Sequence, residues 1–534
     1  MANKENDKMN VKKLIALCDE KVDECVKTVY SFCQIITGEE LMTTYGIEWK
    51  SIADRYGLII EKDDTSFANA PVFFTSAPDD INVCALSFAL LILYKGLERI
   101  ERKKQEETAA LGLSIDAIKK MIVRLTNTVA VIACREDSSG KEVYYWPTTI
   151  TKTRIVSTGT CNQTTVALSA LLRIGFISKN LVNKKNEDGE ITEEQLQNRY
   201  NLVVGALSWL ISCQTGADGN AWSYGTSCMT EDEVPISYSI LSSHFCYETL
   251  KKYRLYFDET DCNERATKAD SHILDGISAS CRKFENWAKS KIMLSNEKGG
   301  VGKTDTSGVN NSSVLHTCLI QIVFMFDTDF SSKGNIETLT KAVDYVLKNL
   351  NNFNLDEDRD LLETYFYKYK TSEGAQGYKG DVYEIVPEYV FLNYSTQLIK
   401  TGFYLKLSAT RKNKLKEANY IAYEKLLRKI VEIDYKSNKY MALKGIQHDT
   451  KRYPIYALYD LQVCMLELLE ASNTKSIMKK THNISNKAFL FVGVAAIGAT
   501  IISAIRVDVK NTVTSLLISG AGFTINEVKK RLRL

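Results

Sequence analysis

The chain has 534 residues, 45% of them hydrophobic and 25% charged, with a formal net charge of +3. This balance fits a folded protein with a sizeable core and excludes a disordered polar chain. A charge so near zero also excludes nucleic-acid recognition by a global basic field, though not by a local basic surface.

Thirteen cysteines are scattered without a CxxC pair, many inside apolar helical runs, as at Cys18, Cys25, Cys33, Cys84, Cys246, Cys318 and Cys464. That usage predicts small buried thiols in a reducing compartment. The stretch from Met1 to Lys13 is charged and lacks an apolar centre, so no secretory signal is expected. Only six prolines interrupt the chain, which favours helices.

In chain order, residues 11–36 place Leu14, Leu17, Cys18, Cys25, Val29, Phe32, Cys33 and Ile36 at helical spacing. A short second helix is expected near Gly46–Tyr56, and the two together read as a packing appendage. Ser76-Ala-Pro78-Asp79-Asp80 then leads into an apolar helix at Ile81–Glu98. The serine is a natural N-cap, the proline suits the first turn and the aspartates face the positive helix end. A further helix is expected near Ile115–Ala133.

This punctuation recurs. Tyr144-Tyr145-Trp146-Pro147 precedes a helix at Cys161–Gly175, and Asn183–Glu194 reads as a charged surface loop. Gln214, Asp218-Gly219 and Trp222-Ser-Tyr224-Gly225 form the clearest turn, followed by Pro235 and a helix through His244 to Leu250. A fourth unit carries Trp287, Gly299-Gly300-Val301-Gly302 and a helix from Asn310 through His316 to Phe326. A fifth has Gly374-Ala-Gln376-Gly377-Tyr378, with Pro387 opening a helix to Leu405. The sixth has His448 to Pro454 before Ile455–Leu469.

Six helix pairs cannot each bury an apolar face alone, so neighbours must stack. Six stacked pairs can close into an (α/α)6 toroid. The Gln214…Asp218-Gly219…Trp222 turn resembles the Gln-Asp-Gly-Trp turn of the terpenoid-cyclase and protein-prenyltransferase toroid superfamily, with extra residues in the spacing. In that motif the glutamine and indole tie adjacent helices together, which implies a structural role. The superfamily's catalytic groups are not matched. Asp79-Asp80 and Asp327-Thr-Asp329 do not have the form of an acid motif. The histidines His244, His272, His316, His448 and His482 make no compact zinc set with Cys or Asp.

Lys298-Gly-Gly-Val-Gly-Lys303-Thr304 resembles the deviant phosphate loop of ParA/MinD ATPases, and Phe324-Met-Phe326-Asp327 resembles a strand ending in a magnesium-linked aspartate. A phosphate loop needs a helix directly behind its glycines. Here Asp305-Thr-Ser-Gly308-Val-Asn310-Asn311 makes a poor first turn, so the stretch also reads as the fourth unit's turn.

The second helix of each pair mixes polar and aromatic groups with its apolar ones: Asn162, Gln163 and Thr164; Ser237, Tyr238 and Ser242; Asn393, Tyr394 and Gln397; Tyr456 and Tyr459. In a toroid these helices line a central cavity. Such groups suit a hydrogen-bonding and stacking ligand, a nucleotide, oligonucleotide or sugar. The ligand-binding residues expected are Trp222, Tyr224, Tyr238, His244, Lys303, Asn311, His316, Tyr394, Gln397 and Tyr456.

Ala488 to Ile505 contains no charge. Its length as a helix is about 27 Å, enough for a hydrocarbon core. Ala495, Ala499 and Ser503 form a small-residue stripe suited to helix–helix approach in lipid. Ala488, Gly493, Ala495, Ala499, Ser503 and Ile505 are the membrane residues expected. A shorter apolar run, Val513–Ile525, follows. Lys479, Lys480 and Lys487 before the first run and Lys529 to Arg533 after the second fit a hairpin with both ends inside, by the positive-inside rule; one span plus a re-entrant or interfacial segment is the alternative, since the second run is short.

The sequence thus predicts an all-α chain: residues 1–56 an N-terminal helical appendage, 57–475 an (α/α)6 toroid that binds ligand, and 476–534 a C-terminal membrane hairpin with a basic tail. The layout resembles the effectors of prokaryotic anti-phage systems, in which a companion enzyme often makes a nucleotide signal. It implies a signal-regulated effector in the inner membrane, the toroid facing the cytoplasm, and a homo-oligomeric pore. No catalytic residue, metal or cofactor is expected in that reading. The alternatives are a membrane-attached isoprenoid or lipid cyclase or transferase, and a ParA-like ATPase.

Overall fold

The computed structural model describes residues 11–57, 69–72, 81–102, 112–138, 140–147, 149–150, 159–177, 192–223, 228–229, 238–258, 271–294, 299–302, 312–326, 333–350, 362–370, 376–384, 387–432, 455, 458–466 and 469. Its helices are α1 (Val11–Phe32), α2 (Gly38–Tyr45), α3 (Trp49–Arg55), α4 (Val83–Ile100), α5 (Ile115–Val131), α6 (Cys161–Arg173), α7 (Glu193–Ser212), α8 (Ile240–Asp258), α9 (Ser271–Leu294), α10 (Val314–Phe326), α11 (Lys333–Asn349), α12 (Pro387–Lys400), α13 (Phe403–Lys406) and α14 (Ala409–Glu432). Residues 458–466 are helical as well.

The helices alternate between an outer and an inner layer. The inner ones, α4, α6, α8, α10 and α12, pack each against the next. The segment 458–466 takes the sixth inner position: Gln462 donates to the Ile92 carbonyl of α4 at 3.0 Å, and Tyr459 packs on Phe88 with ring centroids 5.7 Å apart. Outside them, α7, α9, α11, α14 and α1 follow one another, each in contact with the next. The ring is therefore closed by contacts between its first and last helices. It is a toroid of six helix pairs, as the periodic punctuation predicts.

α1 holds the outer position of the first pair. Its buried face, Cys18, Val22, Cys25, Val26 and Val29, recurs at spacings of three and four and lies against α4 and α14. Gly96 of α4 lets Val26 approach closely, for a Cβ there would lie 2.2 Å from a Val26 methyl. Further along, α3 fits between α5 and α7. The segment expected as an appendage thus contributes to the ring's outer layer.

Among the described residues strands occur only in connections. β1 (Cys134–Ser138) and β2 (Lys141–Tyr145) form a hairpin, and β2 packs on α7. Gly140 at its turn has φ +77°, where a residue with a Cβ is strained. The longest described pair is β4 (Leu362–Lys370) with β5 (Gln376–Glu384), antiparallel with Leu362 opposite Glu384; β4 also pairs with β3 (Cys228–Met229).

No helix among the described residues is long and apolar enough to cross a membrane. Residues 471–534, including Ala488, Gly493, Ala495, Ala499, Ser503 and Ile505, lie outside the described residues.

Candidate functional site: the ring lumen

Three pairs enter their inner helix by one device. The backbone N–H of Trp146 donates to Thr164 Oγ1 at 3.1 Å, that of Trp222 to Ser243 Oγ at 2.9 Å, and that of Val301 to Thr317 Oγ1 at 2.9 Å. Each acceptor lies four residues beyond a hydroxyl at the helix start: Thr160, Ser239 and Ser313. Thr160 and Ser239 accept from the N–H three residues on, as N-caps do, at 3.4 and 3.2 Å. In two units the indole also ties back to the preceding outer helix, Trp146 Nε1 to Val129 O and Trp222 Nε1 to Leu210 O, both 2.7 Å.

These bonds decide several of the expected site residues. Trp222 is fully buried and edge-on to Phe284, so its polar atom serves the fold. Gln214 Nε2 donates to Ser280 O at 3.0 Å and Oε1 accepts from Ser280 Oγ, which ties α7 to α9. His316 Nδ1 lies 2.8 Å from Ser313 Oγ, its own helix cap. Tyr394 donates to Gln321 Oε1 at 2.9 Å, and burial pushes its phenol well above the usual range. Tyr238 is buried edge-on to Trp287, with Lys291 Nζ 4.9 Å above its ring. Gln397 is buried on α12. Tyr224, Lys303, Asn311 and Tyr456 lie outside the described residues.

The glycine run at Gly299–Gly302 is built differently from a phosphate loop. Val301–Gly302 pairs antiparallel with Ser312–Ser313, and the following described helix starts only at Val314. Gly299 has φ +74° and stands where a Cβ would be 2.6 Å from the Lys341 carbonyl of α11. Its lack of a side chain serves close packing on an outer helix.

The lumen face can be read from exposure. Outer helices cover the inner ones outwardly, and neighbouring inner helices cover their flanks. On three inner helices a stripe of partly accessible residues can be traced: Val166, Ser169 and Arg173 on α6; Phe245, Glu248 and Lys252 on α8; Tyr389 and Lys400 on α12. The spacing of three, four or eleven residues keeps each stripe on one face. Arg173 donates to the Tyr459 hydroxyl, a contact that crosses α4 from the second inner helix to the sixth.

On the same faces lie Asn162, four before Val166; Ser242, three before Phe245; and Asn393, four after Tyr389. All are at least nine-tenths buried. Among the described residues neither amide atom of Asn162 has a hydrogen-bond partner, nor do Ser242 Oγ and Asn393 Oδ1. The same holds for His244 Nδ1, Gln321 Nε2, Glu388 Oε1, Ser395 Oγ and Gln462 Oε1, all on inner helices; Asn419 Oδ1 on α14 is an outer-layer case. A buried polar atom without a partner costs about 1–3 kcal/mol, so such a set on one layer marks a place for a ligand or water.

Charges on the lumen face are largely matched. Lys252 Nζ lies 3.1 Å from Glu248 and Lys95 Nζ 2.9 Å from Glu98. Burial opposes the Glu248 charge, yet Lys252 and His244 outweigh it and hold the carboxyl well below the usual range. Glu388, fully buried at the start of α12, faces the outer layer instead, where Lys429 Nζ of α14 lies 2.6 Å from its Oε2. Asp460 stands apart. Its side chain is partly accessible and desolvation pushes its carboxyl up to about 7.

Asn162, Ser242, Asn393 and Gln397 were legible as polar residues on inner helices. Gln321, Glu388, Asp460 and Gln462 were missed; the signal was a single polar group inside an otherwise apolar run, directly after a proline for Glu388. No group of metal-ligating side chains occurs among the described residues.

The fold and lumen define this chain as an α/α toroid with a polar centre. No family model matches the chain, and no curated protein matches it. Among solved structures, an endo-β-1,2-glucanase from Chitinophaga pinensis, in complex with sophorotriose and glucose, aligns with a TM-score of 0.35 and 10% identity, covering 94% of this chain and 97% of that one. A glucoamylase-like protein from Bacteroides caccae aligns with a TM-score of 0.34 and 10% identity, covering 94% and 98%.

Proposed function

We propose that the protein is a ligand-governed membrane effector, of the kind expected in prokaryotic antiviral defence. The ring is its binding module, and occupancy of the lumen controls a C-terminal segment that assembles with other copies into a pore in the inner membrane. The observation that carries the binding half is the unpartnered set on the inner helices, Asn162, Ser242 and Asn393 foremost. The membrane half rests on the uncharged run from Ala488 to Ile505. Ligand must bind the conducting and closed assemblies with different affinity, or it shifts nothing.

Cell fractionation and vesicle leakage test it together. The full chain should pellet with membranes and release dye from vesicles in a cell-extract-dependent way, and a chain ending before Ala488 should do neither. Equal partitioning of the two chains, with vesicles staying tight, would sink the reading.

Asp460 favours a second reading. A carboxyl that holds its proton near neutrality, on an inner helix beside the ring pair Phe88–Tyr459, suits a toroid enzyme that protonates an isoprenoid or lipid. Turnover of isoprenoid diphosphates by the purified chain, lost in Asp460→Asn, would support it; an unchanged substrate pool would remove it.

A further inference from the structure

We propose that the ring rests on an anionic membrane surface by the end at which its inner helices finish, through the turn that joins α12 to α14. This rests on the membrane half of the effector reading and adds which surface of the ring meets the lipid.

Neighbouring inner helices run parallel. Phe88 and Ile92 of α4 meet Tyr459 and Gln462 in that order, and Gln321 and Met325 of α10 meet Tyr394 and then Thr401, just beyond α12. Ser169 of α6 likewise meets Thr249 of α8, each at a similar distance past the helix-start hydroxyls Thr160 and Ser239. The sixth inner helix therefore ends, and the chain sets out toward its uncharged run, on the same side as the α12–α14 turn.

Exposed apolar side chains stand at both ends of the ring, and charge separates them. On the α12–α14 turn Ile399 is 46% and Leu405 50% exposed. From Lys400 to Lys416 the chain carries six lysines and arginines and no Asp or Glu. Arg411 is taken up by Asp344 of α11. Lys412 Nζ is held 3.2 Å from the Leu405 carbonyl and over the Tyr404 ring, while Lys406 and Lys414 are exposed. At the other end, α1 runs antiparallel to α4, with Asp19 on Arg99 and Val26 against Gly96, so the residues after it lie where the inner helices start. Ile35 and Met42 are exposed there, and the chain around them supplies Glu39, Glu40 and Glu48.

An anionic surface attracts the first patch and repels the second. Aliphatic side chains among lysines gain by entering the acyl boundary, whereas a nucleic-acid backbone would leave them in water. Two apolar residues and a few lysines make one weak signal, so the patch orients a ring that the uncharged run anchors.

The test is tryptophan fluorescence of the full chain on vesicles of phosphatidylglycerol and phosphatidylethanolamine with brominated acyl chains. All five native tryptophans are buried, so Leu405→Trp adds an indole that lipid can touch. Its emission should shift to the blue and be quenched beyond the parent's, and Ile35→Trp should stay unquenched. Adding Lys406→Glu and Lys414→Glu should cut the quenching by about half or more while pelleting persists, because two attractive charges become repulsive. Both lysines are exposed, so these changes leave the fold alone.

A chain that pellets while the indole at 405 stays unquenched, equal quenching at both positions, or indifference to the charge reversal would overturn the proposal and leave the effector reading intact. So would a single-stranded oligonucleotide that shifts the same emission in detergent, which would assign the patch to nucleic acid. A chain that pellets with no vesicle would sink both.

Discussion

Arg199 illustrates how much of the ring's geometry hangs on single side chains. It is fully buried on α7, donates to the carbonyls of Tyr56 at 2.6 Å, Gly57 at 2.9 Å and Phe176 at 3.3 Å, and lies over the Phe176 ring. Burial lowers its proton affinity to about 10, so it remains charged at neutral pH. Gln195 and Asn198 of the same helix donate to the neighbouring Asp54 and Arg55 carbonyls. One face of α7 thereby pins the end of α3. Arg199→Met leaves three carbonyls without a donor and should lower the unfolding free energy by about 3 kcal/mol in a urea titration. Arg199→Lys should recover little, since an ammonium cannot span a fork of three acceptors. A loss under about half a kcal/mol would refute this account.

Asp460 makes a prediction of pH dependence. Its folded proton affinity is raised, so between the ordinary carboxylate range and about pH 7 the folded chain keeps a proton that the unfolded chain has released. Stability contributed here is present at low pH, falls as pH climbs through that window, and is gone above it. Asp460→Asn should therefore raise the melting temperature at pH 8 and change it little at pH 4. Equal effects at both values would count against a desolvated carboxyl. Arg199 does not stand out in the sequence, because it lies in a helix whose period already accounts for its neighbours; Asp460 shows only as a polar group inside the apolar run Ile455–Leu469.

At the scale of elements, the inner-helix entry is the repeated unit. Ser243→Ala strips the acceptor from the buried Trp222 N–H, at a cost of about 1–3 kcal/mol, and Thr164→Val should do the same at Trp146. Both are measurable as shifts in denaturation midpoint. Gly299→Ala should destabilise for two reasons at once, a left-handed backbone and a clash with the Lys341 carbonyl, and is checked by thermal melting.

The sequence made the inner helices legible because prolines, hydroxyls and aromatics announce their starts. It hid the connections. β4 reads Leu-Glu-Thr-Tyr-Phe-Tyr-Lys-Tyr-Lys, rich in strand-forming tyrosines, yet its partner contains Gly377 and Gly380, which punctuate like a turn. The fourth unit misled in another way. Its glycines have the spacing of an anion cradle, and only the antiparallel pairing with Ser312–Ser313 and the approach to α11 separate the two uses.

For the whole molecule, the periodic helices foretold a ring of six pairs, but not that α1 belongs to it. An amphipathic helix at residues 11–32 fits an appendage or an outer wall equally well; only the contacts with α4 and α14 choose. The polar lumen was legible in part, since asparagines, serines and tyrosines on inner helices stand out against aliphatic ones. Which of their atoms lack partners depends on distances no pattern encodes.

The seam between the first and last helices bears on how the chain is made. Gln462 and Ile92 are 370 positions apart, so their bond waits until nearly all the ring exists. The wall of α1 turned toward α14 meanwhile faces water, for it is made well before α14 and covered only after it. A ribosome stalled before residue 409 should therefore hold a protease-sensitive arc, and protection of α1 should arrive in one step once residues 409–469 emerge.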